Sequence, residues 1–179
     1  EKLSAAGEKL SACFGGTFVP FVDSSPIPEV ACAVQAGLGV KGKNGLLITR
    51  DYGSYVFLGE LVTDRELPCT PPSTGGCLGC GRCLAACPGQ AISAEGKIDE
   101  GRCLSFITQK KGELYPWEEE LVRRGGLLWG CDRCQEVCPH NLQAGYTSIP
   151  EFTKDLIPRV EREDIRPLCK ERAFGFRGP

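Results

Sequence analysis

Residues 77–92 read CLGCGRCLAACPGQAI. The cysteines fall as Cys77-x2-Cys80-x2-Cys83-x3-Cys87-Pro88, the spacing of bacterial ferredoxins. Two residues between ligands let a loop wrap one corner of an iron–sulfur cube, and the proline turns the chain away. In two-cluster proteins the fourth cysteine of such a run serves the other cube. A second run, Cys131-x2-Cys134-x3-Cys138-Pro139, lacks the cysteine a full pattern would place at Leu128. Cys103, between the runs, is the natural substitute. The expected assignment is Cys77, Cys80, Cys83 and Cys138 for cluster one, and Cys87, Cys103, Cys131 and Cys134 for cluster two, both 4Fe–4S. Zinc also uses CxxC pairs, but two proline-ended runs with crossed fourth ligands suit zinc poorly.

The rest of the composition is ordinary. The 179 residues carry a net charge of -2, with 25% charged and 41% hydrophobic residues. No global positive field points to nucleic acid, although a local patch is compatible with RNA. Twelve cysteines in tight clusters read as metal ligands in a reducing cytoplasm rather than as a disulfide framework. No apolar run reaches the ~18 residues of a membrane span, and no signal peptide is visible. The chain has no methionine and opens inside a helical pattern, so a fragment is expected. Cys13, Cys32, Cys69 and Cys169 are expected to be buried thiols.

Along the chain, Leu3, Ala6, Leu10 and Cys13 mark one helical face over residues 1–14. TFVPFVD suggests a strand ending at Asp23, SSPIPE a turn, and residues 29–38 a helix stopped at Gly39. Leu46–Thr49 and Tyr55–Thr63 are β-like runs separated by a DYG turn. The Pro- and Gly-rich stretch 65–76 marks a boundary. Three divisions are expected: a partial lobe over 1–68, a double-cluster domain over 69–145 and a helical tail over 146–179. The only histidine, His140, is expected to be a partly exposed loop residue. Trp117 and Trp129 are expected in the core or over a cluster. Lys110-Lys111 and Arg123-Arg124 are ordinary solvated pairs or RNA phosphate contacts.

Several segments together resemble the epoxyqueuosine reductases, iron–sulfur and cobalamin enzymes of tRNA modification. They are VDSSPIPE (22–29), QAGLGVKGKNGLLI (35–48), GSYVFLGELVTD (53–64), the run at 77–92, RCLSFITQKKGEL (102–114) and GCDRCQEVCPHN (130–141). The resemblance implies an α+β fold in which a two-cluster bacterial ferredoxin-like domain follows a partial α/β cobalamin-binding lobe. Family members carry a further N-terminal stretch that completes that lobe, so the chain reads as an N-terminally truncated member. The resemblance implies reduction of epoxyqueuosine to queuosine in tRNA, with an external ferredoxin- or flavodoxin-like donor feeding the clusters and the clusters feeding cobalt. Asp23 matches the general acid, a role that near neutral pH calls for burial or neighbouring charge. By itself, Asp before Ser-Ser-Pro is an ordinary Asx turn or cap. Lys43, Asn44, Leu47, Ser54, Leu58, Ser105 and Asp132 match positions close to the corrinoid. Ser105 and Asp132 also flank ligands of cluster two, which makes that cluster the expected relay to cobalt. Rival readings are a non-enzymatic electron carrier, another cobalamin reductase such as a reductive dehalogenase, and a zinc module.

Overall fold

The structure is a computed structural model that describes residues 1–23 and 26–154. Glu1–Gly145 form one compact unit, and the sequence-level boundary at 68/69 falls inside it. Among the described residues, no helix is long and apolar enough to cross a membrane.

The chain opens with α1 (Lys2–Phe14), as its apolar spacing implies. The buried residue of α1 is Gly7. A Cβ there would press on the Phe18 carbonyl at 3.0 Å and the Leu61 side chain at 3.3 Å. A glycine costs a helix interior about 1 kcal/mol relative to alanine. Here it lets the helix lie directly on a two-stranded sheet. That sheet pairs β1 (Phe18–Phe21) with an antiparallel strand at Glu60–Thr63, in the register Phe18 to Thr63 and Phe21 to Glu60. Pro20 is tolerated because a two-stranded ribbon leaves each strand an open edge.

Helix α2 (Glu29–Gln35) ends three residues earlier than its pattern suggests. Gly37 then adopts φ 75°, with the Pro71 carbonyl packed too close to admit a side chain. Strands β2 (Val40–Lys41) and β3 (Leu47–Ile48) form a short antiparallel hairpin around the KGKNG turn. The DYG segment is a turn closed by a bridge from Thr49 to Gly53. The β-like run at 55–63 is therefore a strand only in its second half, β4 (Glu60–Thr63), whose partner is β1 rather than β3.

Beyond the Pro- and Gly-rich stretch the fold is loops around short helices: α3 (Arg82–Ala86), α4 (Leu104–Gln109), α5 (Pro116–Gly125) and α6 (Arg133–Glu136). Leu104 and Ile107 on α4 are the most buried large side chains, each 1% exposed. α5 packs on α4 at Gly125, where a Cβ would press on Leu104 Cδ2 at 2.6 Å. Proline at the first position of α5 uses a site whose N–H has no helical partner. Glu118 on α5 is 4% exposed, accepting from Tyr115 N–H at 2.8 Å and pairing with Lys110 Nζ at 2.9 Å.

One expectation is narrowed and one corrected. Trp117 and Trp129 are 51% and 65% exposed, which removes the core and leaves their other expected place, over a cluster. Cys13, Cys32 and Cys69 are exposed thiols, not buried ones. Cys169 and most of the expected helical tail lie outside the described residues; residues 146–154 contain one 3-10 turn, Pro150–Phe152.

Candidate metal centres

The first cysteine run forms a loop leading into α3. Gly79 at φ 66° and Gly81 at φ 72° occupy left-handed backbone that other residues enter at a cost. Both lie between cysteines and curl the loop on itself. Cys77, Cys80 and Cys83 line one cavity, and its fourth cysteine is Cys138, from the end of the second run. A second cavity is lined by Cys87, Cys103, Cys131 and Cys134. The structure therefore brings together the same two quartets that the spacing suggests. α3 and α6 carry Cys83 and Cys134 and pack on one another, which lets each run reach the other's cavity.

Cys103 arrives from a different direction. It follows a 3-10 turn, Glu100–Arg102, and caps the start of α4. Gly89 lies against this turn: a Cβ there would overlap the Arg102 carbonyl oxygen, and Arg102 Nε donates to the Gly89 carbonyl at 2.8 Å. The CPG tripeptide after the first run thus holds the segment that delivers Cys103.

Four cysteines to each cavity are the donor set of an iron–sulfur cluster. Among the described residues, no three His, Cys, Asp or Glu side chains converge tightly enough for one metal ion. Four sulfurs on one wall system, not drawn in on a single point, suit a cube better than a tetrahedral zinc site.

Cys80 is exposed and the other seven cysteines of the two quartets are half-buried. Burial pushes up the thiols of Cys83 and Cys131. It pushes Cys134 up to about 11, with Cys131, Cys87 and Cys103 adding to the effect. Without a cation such a thiol keeps its proton; a bound metal reverses that preference. Ala91 N–H donates to Cys87 Sγ at 3.2 Å. Backbone donors at Leu84 and Arg133 favour the charged forms of Cys83 and Cys131.

Of the residues expected near a corrinoid, Lys43 and Asn44 line the first cysteine cavity, and Asn44 also lines the second. Leu47 is buried in the core. Ser54 is buried too, with its hydroxyl donating to Gln135 Oε1 at 2.9 Å and accepting from Asn141 Nδ2 at 2.9 Å. Leu58 and Ser105 are half-buried. Asp132 is exposed and accepts from Gln135 Nε2. Of the seven, Lys43 and Asn44 share the first cysteine cavity, and Gln135 links Ser54 to Asp132.

Asp23 occupies a separate, open depression with Ile27, Pro28, Glu29, Val30, Ala31 and Lys41. It is exposed, with φ 56°, and its N–H donates to Glu29 Oε1 at 2.8 Å. Asp tolerates left-handed backbone better than most residues. Its surroundings supply charge rather than burial. Glu60 lies close by, its carboxyl held above its usual range by burial and then by Glu29 and Asp23.

One residue escaped the sequence reading. Asn141 ties the cluster loop to the DYG turn: its Oδ1 accepts from Ser54 N–H at 2.7 Å, and its Nδ2 also donates to the Gln135 carbonyl at 2.8 Å. A polar residue beside a proline-ended cysteine run was the available signal for it. His140 is partly exposed, as expected, and it also lines the first cysteine cavity. Of the basic pairs, Lys110 is engaged by Glu118, and Arg123 by Glu120 at 2.6 Å.

Residues 76–141 match the 4Fe-4S double cluster binding domain family. The epoxyqueuosine reductase of Lactococcus garvieae is 37% identical over 168 residues, covering 94% of this chain and 46% of that protein. A crystal structure of an epoxyqueuosine reductase with an epoxyqueuosine-modified tRNA-Tyr stem loop superposes with TM-score 0.73 at 35% identity, covering 81% of this chain and 38% of that one. The Bacillus subtilis epoxyqueuosine reductase, in a structure with its catalytic aspartate loop swung out of the active site, gives TM-score 0.68 at 32% identity and covers 82% and 40%. The chain spans less than half the length of each of these proteins.

Proposed function

The chain belongs to the epoxyqueuosine reductase family, and from that membership we propose that it takes part in reducing epoxyqueuosine to queuosine in tRNA. Electrons would pass through two 4Fe–4S clusters towards cobalamin in a reducing cytoplasm. The observation that supports this best is the pair of four-cysteine cavities within the segment matched to a double-cluster domain.

Removing an epoxide oxygen as water consumes two electrons and two protons. Bound 4Fe–4S clusters supply one-electron steps at low potential, and an external ferredoxin- or flavodoxin-like protein would replenish them. In this chain Cys77, Cys80, Cys83 and Cys138 would hold one cluster, and Cys87, Cys103, Cys131 and Cys134 the other. Ala91 N–H donates to Cys87 Sγ and would hold that ligand's sulfur in place. Ser105 and Asp132 flank the second quartet, which makes it the quartet facing the acceptor. Asp23 would hold the proton that the leaving oxygen takes. Its left-handed backbone is the kind of local strain that collects at active sites. The aspartate loop of the Bacillus subtilis relative supports a matching role. Cobalamin enters through the family alone.

The test is turnover. Protein reconstituted without oxygen, supplied with cobalamin and a low-potential reductant, should convert epoxyqueuosine-bearing tRNA to the nucleoside lacking one oxygen, read by mass. Protein loaded with clusters and corrinoid that leaves the tRNA unchanged would overturn the reading. If it then reduced halogenated organics, a different cobalamin reductase would take its place. A second reading, a two-cluster electron carrier, is favoured by one observation: the family model that matches is a double-cluster binding domain over residues 76–141. Clusters without retained corrinoid, together with electron transfer to an added acceptor, would select it.

A further inference from the structure

Two nitrogens inside the cysteine cavities have no ordinary partner. Asn44 is 8% exposed, and its buried Nδ2 meets no nitrogen or oxygen acceptor, while its side chain is placed to donate to the Cys134 sulfur. His140 Nε2 is buried and unpaired. A buried donor without an acceptor is costly, so each position calls for an acceptor that arrives with the cofactor. Asn44 is the residue common to the walls of both cavities. Its Oδ1 lies tight against Gly42, where a Cβ would overlap it, and this fixes which way the amide points. The Cys134 thiol lies near the amide. His140 lines the first cavity and not the second. A bound cluster presents sulfides and thiolates, which are acceptors.

We infer that Asn44 Nδ2 and His140 Nε2 are hydrogen-bond donors to cluster sulfur, Asn44 placed between the two clusters and His140 on the cluster of Cys77, Cys80, Cys83 and Cys138 alone. This assigns Asn44 to the iron–sulfur centres rather than to a corrinoid, and it rests on the two-cluster reading. Donors to sulfur stabilise the more negative, reduced cluster and raise its potential. Both are positioning residues that set the driving force between the centres.

The test is an EPR-monitored redox titration of the full chain, reconstituted without oxygen and matched for iron. Asn44→Leu should lower both midpoints, giving about a tenfold loss of reduced cluster at fixed applied potential, equivalent to about 59 mV for a one-electron couple. His140→Leu should lower one midpoint by a similar factor and leave the other in place. Unmoved midpoints in iron-replete Asn44→Leu protein would overturn the inference. Wild-type protein that takes up no iron would instead overturn the two-cluster reading. Should a variant fail to load, the wild type still decides. The chain has one histidine, so labelling with 15N-histidine reports on His140 alone. A 15N coupling on one reduced cluster is expected, and its absence refutes the assignment.

Discussion

Asn141→Ala should loosen the DYG turn from the cluster loop without disturbing the rest of the molecule. The Asn141 side chain makes three hydrogen bonds, to Ser54 N–H, Ser54 Oγ and the Gln135 carbonyl, at 2.7, 2.9 and 2.8 Å. Not every partner is stranded when it goes. The Gln135 carbonyl keeps its bond from Cys138 N–H, and Ser54 Oγ keeps Gln135. Only the Ser54 N–H, in a buried residue, is left unpaired. At about 1 kcal/mol per bond the local loss is about 3 kcal/mol. With 1.4 kcal/mol per factor of ten, the Ser54 amide should exchange with solvent roughly a hundredfold faster. Asn141→Asp retains the acceptor and loses the two Nδ2 donations, so about 2 kcal/mol and roughly thirtyfold are expected. The assay is hydrogen–deuterium exchange on iron-matched protein, with Phe18–Phe21 as the control segment. Exchange at Ser54 within about threefold of wild type would refute the clamp, because three bonds of ordinary strength would then carry no local stability.

Other expectations follow from single contacts. Gly89→Ala forces a Cβ into the Arg102 carbonyl and should displace Cys103, so iron counts should fall with the first cluster's spectrum retained. Gly53, at φ 56°, faces the Asn141 amide oxygen with no room for a Cβ; Gly53→Ala should reproduce the Asn141→Ala exchange pattern. Glu118 is held below its ordinary carboxyl value by the Lys110 ammonium and then by Tyr115 N–H. A lowered folded value means that its stabilisation is complete above the unfolded value near 4.5 and is lost as pH falls through the folded one. Acid titration followed by circular dichroism should therefore show Glu118→Gln losing stability at neutral pH and converging with wild type in acid.

The cysteine runs were legible because cluster binding is written in local spacing: a loop must present sulfurs at fixed intervals whatever surrounds it. α1 was legible for a similar reason, since Leu3, Ala6 and Leu10 repeat at helical intervals. The pairing of Phe18–Phe21 with Glu60–Thr63 was not, because register between distant segments is decided by packing, here α1 at Gly7, rather than by either strand's pattern. Trp117 and the three exposed thiols show the limit of residue-type averages, which say how often a side chain is buried and not on which face it stands. Asn44, His140 and Asn141 gave weaker signals still. A buried amide or imidazole is identified by the groups around it, and those come from parts of the chain far away in sequence. Ser54 has the residue type of a ligand contact, yet its hydroxyl is spent on Gln135 and Asn141.

Iron and acid-labile sulfide, counted per chain in protein reconstituted without oxygen and compared with Cys103→Ser, probe most directly the two-cluster account and the place of Cys103 as the ligand missing at Leu128. About eight irons should be found in the wild type and about four in the variant, with the spectrum of the remaining cube unchanged. A chain that binds zinc in place of iron, or a Cys103→Ser protein that keeps all of its iron, would contradict the account.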